Sequence, residues 1–326
     1  MRENNLFVGT LLAKKFNKKT GIITYSGTLA IELALRNCKL PFNSGVIVSN
    51  EVCTSIITTI IKLGLKPIIV VPQKDFMITS DEIEKVINLY PVSCILLVHQ
   101  YGIINNIECI KEKYTHIKII EDIAQTWSLK YFNTNIGKYS DYIVTSFGKT
   151  KPLSYGIGGA VITNEESILN IVDFCDNISR ENKELKFAYA YPLCEKIELE
   201  ELFVIANEHV IHQQQAAQLF LETFQENNQI YLIRDIKKHA WHRFPLWIKS
   251  VDYYKKMIDY LKECEIEFQL PHNINNYELP SIKDNAIIPN SLTNKENIIL
   301  LRTRINDNSK LREKLLKLQK LMSENV

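Results

Sequence analysis

The chain has 326 residues, with 39 Lys and Arg against 37 Asp and Glu, and 46% of it is hydrophobic. A net charge of +2 argues against a dominant nucleic-acid surface or an acidic tail. No apolar run reaches the ~18 residues of a membrane span, and the start, MRENNLFVGT, lacks an apolar signal core, so a cytoplasmic protein is expected.

The pattern predicts strands at GIITY (21–25), GVIVS (45–49), KPIIVV (66–71), SCILLVH (93–99), IKIIED (117–122), DYIVTSF (141–147) and GGAVIT (158–163). Helical sequence lies between them: GTLAIELALRNCKL, then about 53–64, 80–89 and 105–114. The strands are almost wholly apolar, as when helices cover both faces of a mostly parallel sheet. Polar helical sequence fills 164–186, and a second helical stretch covers 197–226. After about residue 230 the pattern changes: HRFPLWIKS and NIILLRTR read as strands, YYKKMIDYLKECEI as an amphipathic helix, and 307–323 as a charged helix. The expected organisation is a large α/β domain over 1–235 and a smaller C-terminal α+β domain over 236–326. The stretch 271–292, rich in Pro and Asn, is expected at the surface.

Seven dispersed cysteines without a CxxC pair fit reduced, mostly buried thiols. His209 and His212 are spaced to share a helical face, but no third metal ligand lies near them in sequence.

In open α/β sheets, ligands bind beyond the carboxyl ends of the strands. After the first strand come Ser26, Gly27 and Thr28, opening a helix; they suit a phosphate at the helix start, or plain N-capping. His99 ends the 93–99 strand and reads as a core residue or a site residue. Glu121 and Asp122 end another strand, with Gln125 one turn on; Asp122 either faces a ligand or caps a helix. Last comes SFGKTKPLSYGIGG (146–159), with Ser146, Lys149, Lys151 and three glycines. Alone, the Lys-Thr-Lys run is a solvated loop. Together, a phosphate cradle, a histidine, a carboxylate and a serine with lysines meet the needs of a phosphorylated pyridine aldehyde, pyridoxal 5'-phosphate.

The segments Ser26-Gly27-Thr28-Leu29-Ala30, His99-Gln100-Tyr101-Gly102, Glu121-Asp122-Ile123-Ala124-Gln125 and SFGKTKPLSYGIGGA resemble the DegT/DnrJ/EryC1/StrS sugar aminotransferases, a family of fold type I pyridoxal-phosphate enzymes. The resemblance is clearest over residues 5–165. It implies a three-layer fold with a mostly parallel sheet of seven strands. It implies Lys151 as the Schiff-base lysine and proton carrier, with Lys149 an ordinary loop residue. Asp122 would pair with the pyridine nitrogen, Gln125 would contact the ring hydroxyl, and Ser26, Gly27, Thr28 and Ser146 would hold the phosphate. His99 would have a supporting place beside the cofactor. Cys53 falls where the family sets an aromatic residue over the ring. The implied reaction moves an amino group from an amino acid, usually glutamate, to a keto-sugar, usually linked to a nucleoside diphosphate, in a homodimer. Alternative readings are a homologue that binds the cofactor without aminating, or a sugar dehydratase. Dehydratases of the family carry a histidine in place of the lysine, so Lys151 argues against the latter.

Overall fold

The structure is a computed structural model that describes residues 2–72, 75–127, 136–173, 199–224, 229–271, 276–289, 297–305 and 307–324. Seven short strands form the larger sheet: β1 (Thr20–Thr24), β2 (Gly45–Ser49), β3 (Lys66–Val70), β4 (Val92–Val98), β5 (Lys118–Asp122), β6 (Tyr142–Ser146) and β7 (Gly159–Thr163). Their order is β1-β7-β6-β5-β4-β2-β3, and β7 alone runs antiparallel to its neighbours.

The period of two along each strand divides the core. Val46, Val48, Cys94, Leu96 and Ile120 face one layer, packed with residues of α2 (Gly27–Asn37) and α3 (Thr54–Lys62). Ile47, Ile95, Leu97 and Ile119 face the other, packed with residues of α4 (Ser80–Leu89) and α5 (Glu108–Lys113). The three-layer arrangement expected from the alternation is present, with α5 shorter than the predicted 105–114.

An N-terminal helix, α1 (Arg2–Lys15), was not anticipated. It lies on β1 through a pair of glycines: a Cβ on Gly9 would stand 2.0 Å from the Gly21 carbonyl oxygen. Val8, Leu12 and Ala13 are buried against Ile23, Ile162 and residues of α6 (Leu199–Thr223). Residues 168–173 are helical and 164–167 form a bend and turn rather than helix; the remainder of the helix predicted over 164–186, from 174 on, lies outside the described residues. So do Cys175 and Cys194. Cys38, Cys94 and Cys264 are buried as expected, whereas Cys53 and Cys109 are exposed.

A second, antiparallel sheet has the order β10-β11-β9-β8, from β8 (Ile230–Tyr231), β9 (Arg243–Ile248), β10 (Phe268–Gln269) and β11 (Asn297–Arg302). With α7 (Val251–Glu263) and α8 (Asn308–Glu324) it encloses Phe244, Leu246, Met257, Leu261, Ile299, Leu301 and Leu315. Tyr101 and Ile103, just beyond β4, belong to this same core. Among the described residues, no helix is long and apolar enough to cross a membrane.

The described residues of 271–292 lie mostly at the surface, as expected, but the stretch also docks onto the larger sheet. Asn276 is buried, and residue 287 pairs beside β3 through Ile69 N–H to Ile287 O at 3.0 Å. The physical reason is polar satisfaction: the Asn276 amide donates to the carbonyls of Asn50 and Val52, both at 2.8 Å, and accepts from the Thr54 hydroxyl at 2.7 Å.

Candidate active site

The carboxyl ends of β1, β4, β5 and β6 bring the predicted residues together. Ser26 caps α2, its hydroxyl accepting the Leu29 N–H at 3.2 Å. Gly27 begins the helix, where first-turn N–H groups have no intrahelical acceptor and the dipole favours an anion. A Cβ on Gly27 would meet the Ser146 Cβ at 2.9 Å, and one on Gly159 would stand 2.6 Å from both Gly27 N and Thr145 O. Two bare backbones and a serine therefore meet in a cradle that side chains would fill. That is the shape and donor chemistry a phosphate monoester takes. Thr28 lies at the same end, its hydroxyl 3.4 Å from Ser55 Oγ.

SFGKTKPLSYGIGG is an ordered loop. Phe147 N–H donates to Gly158 O and Tyr155 N–H to Phe147 O, each at 2.9 Å, and Gly148 pairs with Gly156 across it. Gly156 and Gly158 have φ of +93° and +108°, which glycine tolerates. Pro152 and Leu153 are buried and anchor the segment, while Lys149 is exposed and Lys151 half-buried. Burial depresses the Lys151 amine; Asp122 and Cys53 oppose this, and Arg243 adds to it. Its charged neighbours thus come from the β5 end, the α3 start and the second sheet.

Asp122 and Glu121 point to opposite faces of β5. Burial raises the Asp122 carboxyl, against the pull of the Ala124 N–H, 2.9 Å from Oδ1, and of Lys151. Glu121 turns the other way: one oxygen takes the Gly137 N–H at 2.7 Å, the other the His99 Nε2–H at 2.8 Å. The Asn105 N–H donates to His99 Nδ1 at 3.1 Å, which leaves the ring proton on Nε2. His99 is fully buried with both nitrogens engaged inside the protein, so it stands behind the site and presents no free nitrogen to a ligand.

Gln125 Oε1 accepts the Tyr101 N–H at 2.9 Å, and its Nε2 donates to Gln100 Oε1 at 3.2 Å. This bond holds Tyr101 at φ 58°, an unfavourable angle for a large side chain. The Tyr101 hydroxyl, 3.3 Å from Glu51 Oε2, is pushed well above its ordinary range by burial and then by Glu51. Cys53 caps α3 beside Lys151, its sulfur accepting the Ser55 hydroxyl at 3.3 Å. Asn276, described above, pins the segment that carries Cys53.

Two residues outside these motifs were not anticipated. Arg243, at the start of β9, and the buried His242 both act electrostatically on Lys151 or feel it. The only signal in the sequence was the cluster of basic residues in HAWHRF at a strand start. His209, noted in the sequence for its spacing to His212, donates its Nδ1–H to Pro152 O at 3.0 Å, next to Lys151.

The sequence profile of the DegT/DnrJ/EryC1/StrS aminotransferase family matches residues 4–305. The chain belongs to this family, whose aminotransferases depend on pyridoxal phosphate. A relative from Micromonospora megalomicea subsp. nigra, a dTDP-3-amino-3,4,6-trideoxy-alpha-D-glucose transaminase, is 29% identical over 145 residues, 43% of this chain and 38% of that protein. The 3-oxo-glucose-6-phosphate:glutamate aminotransferase of Bacillus subtilis (strain 168) is 27% identical over 257 residues, 74% of this chain and 57% of its own length. The matches thus span only about 38% to 57% of these curated relatives. Among solved structures, Bacillus subtilis NtdA with bound cofactor PMP superposes with a TM-score of 0.71 at 21% identity, over 96% of this chain and 76% of NtdA. That likeness concerns the fold, a type I pyridoxal-phosphate architecture.

Proposed function

We propose that this protein is a pyridoxal 5'-phosphate-dependent aminotransferase that moves an amino group from an amino acid, glutamate in the first instance, to a keto-sugar. The single observation that carries the reading is the convergence of a depressed, half-buried Lys151 and a buried Asp122 at one sheet end, beside a glycine-built anion cradle.

When bound, the cofactor supplies an aldehyde for amine exchange and a ring that withdraws electrons. The chain's residues supply the rest. A lowered Lys151 keeps more of its Nζ as free amine near neutral pH, the form that attacks a carbonyl and accepts a proton. The same amine would carry that proton between the reacting carbon of the substrate and the carbon of the cofactor's aldehyde. Asp122, fixed by the Ala124 N–H, would hold the cofactor's ring nitrogen, and a positive partner there would restore the charged carboxylate. The α2 start with Ser146 holds the phosphate. Cys53 would cover one face of the ring, and the second Nε2 hydrogen of Gln125 would be free for the ring hydroxyl. His99 and Glu121 keep β5 and the Tyr101 segment in register. Nucleotide-linked or phosphorylated keto-sugars are the acceptor class that the relatives' names suggest, and a second copy of the chain is the assembly we propose.

The test is the half-reaction. Protein loaded with pyridoxal 5'-phosphate and mixed with glutamate converts the cofactor to its amine form, releasing 2-oxoglutarate. A loaded protein left unchanged by glutamate, alanine and glutamine would reject transamination. A screen of keto-sugars then names the acceptor.

A further inference from the structure

A cleft of about 310 Å³ opens beside the Lys151 loop, lined in part by Lys149, Thr150, Arg243, Glu267, Arg302 and Arg304. Four cations meet one carboxylate, and that carboxylate already pairs with Arg302. Among the described residues, Arg243 donates to the Gln269 side chain, at 3.3 Å, and to the His242 carbonyl, at 2.8 Å. Burial, and then Arg302, pull both Arg243 and Arg304 below the ordinary guanidinium range. Like charges held together without counter-charges call for an anion.

The cleft is joined to the lysine loop by one side chain. His209, on α6, donates from Nδ1 to Pro152 O and accepts from Arg304 Nη2 on Nε2, both at 3.0 Å. We propose that the cleft is the subsite for a phosphorylated end of the amino acceptor, and that His209 is a positioning residue that ties Arg304 to the loop bearing Lys151. This rests on the aminotransferase reading above. A carboxylate would offset a single charge, whereas phosphoryl groups match several guanidinium forks. Both a phosphate monoester and a diphosphate carry that chemistry.

Calorimetry with inorganic pyrophosphate and inorganic phosphate tests this on protein saturated with pyridoxal 5'-phosphate, so that the α2 cradle is filled. Pyrophosphate affinity falls ~10-fold in Arg302→Gln and in Arg304→Gln, and falls also in Lys149→Gln, an exposed change that spares the fold. Lys85→Gln, on α4, has no effect. His209→Leu weakens binding ~3- to 10-fold, and His209→Gln, which can donate and accept at the same places, restores it. Tighter pyrophosphate than phosphate identifies a diphosphate; equal affinity identifies a monoester. Binding that is absent, or indifferent to Arg302, Arg304 and Lys149, overturns the subsite. A His209→Gln as weak as His209→Leu overturns the positioning role. Failure of cofactor uptake instead overturns the aminotransferase reading, whatever the anion does.

Discussion

Gly102 lies directly under the backbone of His242: a Cβ at position 102 would stand 2.5 Å from the His242 amide nitrogen. The last residue of the His99–Gly102 motif therefore touches the segment that starts the second sheet, and Gly102 O accepts the Ala240 N–H at 2.8 Å. With φ of +83°, the position disfavours any side chain twice over. Gly102→Ala should cost about 2 kcal/mol or more in a denaturant melt, and should weaken cofactor affinity because Tyr101 shifts with it. An unchanged midpoint would mean the two segments separate freely.

Gly159→Ala tests the phosphate cradle. Its Cβ would lie 2.6 Å from the Gly27 nitrogen, so β7 and the α2 start must part. Pyridoxal 5'-phosphate affinity should fall at least ~10-fold, about 1.4 kcal/mol, measured by fluorescence titration. Equal affinity would place the phosphate elsewhere.

Behind the site, His99→Leu leaves one Glu121 oxygen buried without its donor. Removing the donor of a buried hydrogen bond to a charged group costs about 1.5–3 kcal/mol. Thermal denaturation should read a loss of that order before any kinetic effect is considered. A loss under ~1 kcal/mol would show that Glu121 finds another partner.

The pH dependence of stability follows from Lys151. Its folded-state pKa is depressed, chiefly by burial, so the unfolded chain holds the proton more tightly. Between the folded and the ordinary lysine values the unfolded state binds more protons, and stability rises with pH. Below that window the burial cost is fully present. Cofactor-free Lys151→Met should therefore be more stable than the unaltered protein at neutral pH, with a gap that closes as pH rises toward the ordinary lysine value. A gap constant with pH would show that the amine is not depressed.

Much of this was legible in the chain. The strand runs were nearly all apolar, so the three-layer sheet and the strand ends that form the site could be read from them. Ser26, Asp122, Ser146 and Lys151 each fell at such an end. The unread parts depend on distant partners. Gly9 breaks the helical pattern of α1, and only its fit against Gly21 offsets the cost. Asn276 looked like a loop residue because its three partners lie more than 220 positions away in sequence. His209 was noted only for sharing a helical face with His212, whereas its ring joins Pro152 to Arg304. The two-residue strands β8 and β10 carry too little pattern to detect.

The most direct measurement compares the visible absorbance of two variants after incubation with pyridoxal 5'-phosphate, gel filtration and borohydride. Lys149→Ala should keep the unaltered protein's absorbance and retain cofactor covalently after reduction, because Lys149 faces solvent. Lys151→Ala should lose both while keeping its fold. Covalent cofactor on Lys151→Ala, or its loss in Lys149→Ala alone, would contradict the assignment of Lys151 as the reacting amine.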